Sequence, residues 1–248
     1  ADSLRDLLTQ VEARQQFVER QITRHNALVT QAEEALAQSD PSLIRVARDR
    51  VLDFVATGEP LTRHRDGLDD LIDRLTGAQF DLIYERGRTS EDPAVIRQTR
   101  ESLVQAVDSI PDETTQETYR SRLPAATALL DRRAAYFQLR DDLVDRAQGL
   151  MNRTDPLPTL ETGIGELRAG LDDLGSRETS PAAFGAQPSP ADNLFAMIDA
   201  LTFRADLYRE AARGLAERDS ESRVRRWVER IERSLGTDEG APHRAALE

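Results

Sequence analysis

The chain has 248 residues, 45 acidic against 33 basic side chains, a net charge of −12 and no cysteine. A charge of this sign, with no basic block or aromatic-interleaved patch, argues against nucleic acid and anionic membrane surfaces as partners, because their phosphates would be repelled. The missing cysteines remove disulfides, thiolate metal sites and thiol nucleophiles together, and no apolar run approaches the length needed to span a bilayer.

Hydrophobic residues make up 39% and aromatics only 5%, a composition suited to long helix seams of Leu, Val, Ile and Ala. From Leu4 the stripe Leu4, Leu8, Val11, Gln15, Val18, Ile22, His25, Val29, Ala32, Leu36 alternates steps of four and three, the heptad pattern of a long packed helix. Pro41 ends it, since proline cannot extend the hydrogen-bond ladder. A second helix is predicted from Ser42 to Ala56, before the Gly58-Glu59-Pro60 break. A third runs along Leu61, His64, Leu68, Leu71, Leu75, Ala78 and Leu82 to Gly87. Pro93 at a first-turn position opens a shorter helix through Ile110. A long stretch from Pro111 to about Asn152 follows, with a kink or a new start expected near Pro124. Composition then shifts to Pro, Gly, Ser and Thr between Thr154 and Pro190, with one short helix over Leu160 to Leu174. Ala191 to Arg218 is amphipathic again, and Arg223 to Leu235 closes the pattern with Trp227.

The expectation is an all-α fold, an elongated bundle of long antiparallel amphipathic helices that two stacked four-helix modules would satisfy. It forms one domain over 1–235, with a loosely ordered insert at about 154–190. The tail at 236–248 reads as disordered, its Leu247-Glu248 as a cloning scar. The segments RDRVLDFVATG from Arg48 and RADLYREAARG from Arg204 are alike in pattern. Shared helical periodicity explains this as readily as duplication does.

Few side chains point to chemistry. His25 and His64 fall on seams without a third ligand at metal spacing. Asp69-Asp70, Asp141-Asp142 and Asp172-Asp173 are consecutive, so on a helix each pair diverges by about 100° and reads as solvated surface. Gly163-Ile164-Gly165 lacks the preceding strand of a phosphate cradle and reads as a loop or helix start. Neither catalysis, nor a metal, nor a cofactor is expected. The departures from pattern are arginines. Arg133 and Arg140 fill gaps in the apolar stripe Tyr119, Leu123, Ala126, Leu130, Phe137, Val144, Ala147, Met151, and Arg204 sits between Leu201 and Tyr208 on another stripe. An inward guanidinium must be paired, snorkel out or face a wet cavity. One reading pairs these arginines with acidic neighbours. The other makes Arg133, Arg140 and Arg204, helped by the hydroxyls of Tyr136 and Tyr208, a pocket for a small organic anion.

At ARDRVLDFVATGEP (Ala47 to Pro60), ERGRTSEDPAVIRQTRESLVQAVDSI (Glu85 to Ile110) and YRSRLPAATALLDRRAAYFQLRDDLVDRAQGL (Tyr119 to Leu150) the sequence resembles the periplasmic sensor regions of bacterial chemoreceptors and histidine kinases. The type it resembles is the helical bimodular sensor domain, to which the trimethylamine-oxide sensor kinase is similar. The resemblance implies a periplasmic, extracytoplasmic signal-sensing domain of a membrane-anchored parent. It would bind a small organic anion or a periplasmic binding protein and transmit a helix displacement. From another class, a structural helical protein that binds a partner along a seam, with no small molecule, accounts for the same residues. Homodimerisation is compatible with both.

Overall fold

A computed structural model describes residues 2–57, 62–177 and 192–216, with 225, 226, 228–230, 232 and 233. All of the regular elements among them are helices: α1 (Asp2–Gln38), α2 (Pro41–Ala56), α3 (Thr62–Thr89), α4 (Pro93–Asp108), α5 (Glu113–Met151), α6 (Leu157–Arg177) and α7 (Asp192–Ala216). The chain divides within α5 into two compact units, Ala1–Asp131 and Arg132–Glu248, where the sequence pointed to a single domain over 1–235. The physical reason is that the two halves of α5 pack on different helices: Leu130 lies beside Gly87 of α3 and Thr99 of α4, whereas Leu143 and Ala147 join the core of the second unit.

In the first unit α1, α2 and α3 close one core of Leu28, Ala32, Ala35, Ile44, Val51, Phe54, Leu68, Leu71 and Leu75. Chain direction follows from the side-chain pairings. His25 lies against His64, and Asp73 and Asp81 of α3 meet Thr115 and Arg122 of α5 in the same order. So α1, α3 and α5 run one way, and α2 and α4 return between them. Helix starts are cut by Asp-Pro. Asp40 Oδ1 accepts from Ser42 N at 2.7 Å and Leu43 N at 3.4 Å, and Asp92 Oδ1 from Ala94 N at 2.8 Å and Val95 N at 3.4 Å. Each following proline occupies the first turn, where its missing N–H would be orphaned anyway. Pro41 therefore both stops α1 and starts α2, and Ser39 makes the corner with a left-handed φ of 53°.

Helix α5 runs through Pro124 as one element, so of the kink or new start expected there, the new start is corrected. Pro124 and Arg120, whose carbonyl loses its donor, are both exposed, so that carbonyl faces solvent rather than being buried unpaired. At its start Asp112 accepts from Thr115 N at 2.7 Å, and this capping bond holds the Asp112 carboxyl below the ordinary aspartate range.

The second unit has a core of Leu143 and Ala147 from α5, Leu160, Ile164 and Leu167 from α6, and Leu194, Ile198, Leu201 and Ala205 from α7. The short helix expected over Leu160 to Leu174 is present and longer, α6 over 157–177, so the expected loose stretch is corrected there, and Gly163-Ile164-Gly165 lies inside the helix. Its apolar residues recur on one face and are buried, which outweighs the helix-breaking composition. Residues 178–191, the tail at 236–248 and Trp227 lie outside the described residues.

Candidate functional site

Of the five residues singled out from sequence, Arg133, Tyr136 and Arg140 gather around the Phe137 ring of the second unit, and Arg204 lies further along α5. Arg133 is buried with its guanidinium over the Phe137 ring, 4.8 Å from the centroid. Arg140 covers the same ring at 4.6 Å and pairs with Asp141, Nη2 to Oδ1 at 2.8 Å. Tyr136 is buried edge-on to Phe137, centroids 5.2 Å apart. Tyr208 is half-buried and packs on the core of this unit.

Arg204 is fully buried, at 0% exposure. Its Nη2 donates to the Leu150 carbonyl at 2.7 Å, and its Nη1 to those of Met151 at 3.2 Å and Arg153 at 3.1 Å. These carbonyls end α5, where the last turn has no intrahelical donor and the helix dipole is negative. Arg204 is thus a cap supplied by one helix to another. Along α5 the Arg204 guanidinium lies about 15 Å beyond the level of Arg140, at 1.5 Å per residue. The five side chains do not converge on one cavity.

A further inward arginine escaped the sequence reading. Arg48 on α2 is 1% exposed. It donates from Nη1 to Gln79 Oε1 at 3.1 Å, from Nη2 to Ser109 Oγ at 3.1 Å, and from Nε and Nη2 to Asp49 Oδ1 at 3.2 and 3.0 Å. The signal was available, because Arg48 falls between Ile44 and Val51 on a buried stripe just as Arg204 does on its own.

Arg48 stands behind a polar cleft of about 650 Å³ in the first unit, lined among others by Gln38, Arg45, Gln79, Arg86, Thr99 and Ser102. Because Gln79 Oε1 is taken by Arg48, the amide is fixed with Nε2 as a donor that has no partner among the described residues. Arg45 and Arg86, both exposed, form no ion pair among the described residues. The N–H groups at the start of α2 are already occupied by Asp40, so donors for a ligand would come from side chains.

The seam histidines His25 and His64 lie against each other, ring centroids 4.3 Å apart. No group of three or more His, Asp or Glu side chains placed to hold a metal occurs among the described residues. No described helix is long and apolar enough to cross a membrane.

The most unusual surface is on α1. Leu4, Leu7, Leu8 and Val11 are 74%, 53%, 58% and 62% exposed. At about 1.5 Å per residue α1 is roughly 55 Å long, and its packed stretch begins near Gln21. Arg24 stacks on Phe54 near the end of α2, and His25 meets His64 near the start of α3, so residues 4–20 continue past both helices. The heptad stripe read from the sequence is real along all of α1, but only its second half is buried within the unit.

No family model, curated protein or solved structure matches the chain. The likeness to sensor domains stands on the three segments that suggested it.

Proposed function

We propose that the protein is a non-catalytic helical interaction module that binds another protein through the N-terminal half of α1. The exposed run Leu4, Leu7, Leu8, Val11 carries this reading. Four large aliphatic side chains on one short stretch of helix are a surface that water disfavours and that association would cover. The fate of the inward arginines supports it. Arg140 and Arg204 are engaged by a carboxylate and by carbonyls of their own unit, and Arg133 is buried against Phe137.

Hydrogen exchange at high dilution tests the reading. Amides of Thr9–Val18 are expected to exchange orders of magnitude faster than those of Leu28–Leu36, because only the latter are held by tertiary packing. Equal protection of both stretches at every dilution would mean that the chain's own residues cover the stripe, and the reading would fall.

The cleft of the first unit favours a second reading, that of a sensing domain for a small organic anion. Its support is the pair of arginines that form no ion pair among the described residues, with the oriented Gln79 amide. Small dicarboxylates are then expected to raise the melting temperature of the native chain, and the Arg45→Ala, Arg86→Ala double variant to lose the rise. A rise retained in that variant, or none at millimolar ligand, removes the cleft from consideration. Periplasmic placement and signal relay belong to this second reading and draw on the sensor resemblance alone.

A further inference from the structure

We propose that the occupant of the α1 stripe is a second copy of this chain, paired in parallel as a short two-stranded coiled coil. The inference rests on the interaction reading above and names its partner.

The spacing fixes the heptad frame. Leu8, Gln15 and Ile22 take one set of core positions (a), and Leu4, Val11 and Val18 the other (d). Arg14 then falls at the flanking position g, and Glu12 and Glu19 at e. In a parallel pair each g side chain faces e of the next heptad on the partner helix, which sets Arg14 of each copy opposite Glu19 of the other, twice by symmetry. An antiparallel pair faces g with g and e with e, so it brings like charges together in either register of these layers, Arg14 to Arg14 and Glu12 to Glu12 in one and Glu12 to Glu19 in the other. The flanking charges therefore select the parallel arrangement. Leu7, at the preceding g position and 53% exposed, widens the apolar seam. Gln15 in a core layer would face its own copy, and a polar residue there penalises registers that leave it unmatched. The present partners of these groups do not oppose the change. Glu19 accepts from Gln15 Nε2 at 3.0 Å and Arg14 lies over Phe17, both at the exposed surface, where a rotamer change releases them.

The test uses the whole chain. Analytical ultracentrifugation over a wide concentration range is expected to show a reversible monomer–dimer equilibrium. Leu8→Glu with Val11→Glu should abolish the dimer while leaving monomer helicity unchanged, since neither side chain packs inside the unit. Arg14→Glu or Glu19→Arg alone should weaken dimerisation roughly tenfold, and the two together should restore it. Because the chain has no cysteine, Val11→Cys places a unique thiol. It should cross-link to itself on oxidation in the parallel pair, where the two residues share a layer. A dimer without that cross-link, or without charge-swap rescue, overturns the parallel arrangement. A native chain that stays monomeric overturns the second copy as partner, and hydrogen exchange on that monomer separates the two failures. Fast exchange over Thr9–Val18 leaves an open face for a different protein, whereas strong protection there removes the interaction reading as well.

Discussion

Arg204→Ala is expected to destabilise the second unit by about 3–5 kcal/mol, the range for breaking a buried charged network by deleting one partner. Three carbonyl oxygens at the end of α5 lose their donor at once, and a fully buried side chain leaves a cavity behind. Arg204→Met separates these effects. It refills the space of the aliphatic stem but offers no donor, so the loss should shrink to the cost of the orphaned carbonyls, about 1–3 kcal/mol. Arg204→Lys keeps the charge without the fork that spans Leu150, Met151 and Arg153, and should fall between the two. Denaturant melts followed by circular dichroism give all three values. A neutral Arg204→Met would show that the cap contributes nothing. The same geometry bears on function. An anion approaching this guanidinium would meet carbonyl oxygens already seated on it, so no carboxylate is expected to stabilise the protein in an Arg204-dependent way.

The helix boundaries were largely legible because each rests on a local device. Pro41 and Pro93 after aspartate, and the apolar period of each helix, are all written in the sequence. The wheel argument also placed Arg133 and Arg204 inside correctly. What it could not supply was their partners. Arg204 is held through Nη1 and Nη2 by backbone oxygens some fifty positions away, and a backbone carbonyl leaves no mark in a residue pattern. The same limit hid Gln79 and the polar cleft, whose lining residues come from several helices and look like ordinary surface on each. The place of the division between two units, within α5, was hidden for a related reason. Periodicity shows that α5 has an inward face along its length, but not that its two halves pack on different helices. Exposure of Leu4, Leu8 and Val11 is a tertiary fact too, since a seam residue reads alike whether its partner helix is in the same chain or another.

Four glycines on α6 provide the second large effect, with opposite signs within one helix. A Cβ at Gly163 would stand 2.6 Å from Leu150 Cδ1, and one at Gly170 would collide with the Leu143 side chain. Both pairs are seven residues apart and run in opposite directions, so α5 and α6 lie antiparallel, with a leucine of one seated on a glycine of the other in successive heptads. Interior glycine costs a helix roughly 1 kcal/mol relative to alanine, and here that cost is offset by close approach of the two backbones. Leu143 is itself buried in the core of this unit, so it has little room to swing away from an added methyl. Gly163→Ala and Gly170→Ala are therefore expected to lower stability by about 1–3 kcal/mol, the overpacking range. Gly165 and Gly175 have nothing within 4 Å of an added Cβ. Alanine at either should raise stability by about 0.5–1 kcal/mol through helix propensity alone. Urea melts of the four single variants decide the matter. If Gly170→Ala stabilised as much as Gly175→Ala, α5 and α6 would not be in contact at Leu143, and the core assigned to the second unit would have to be redrawn.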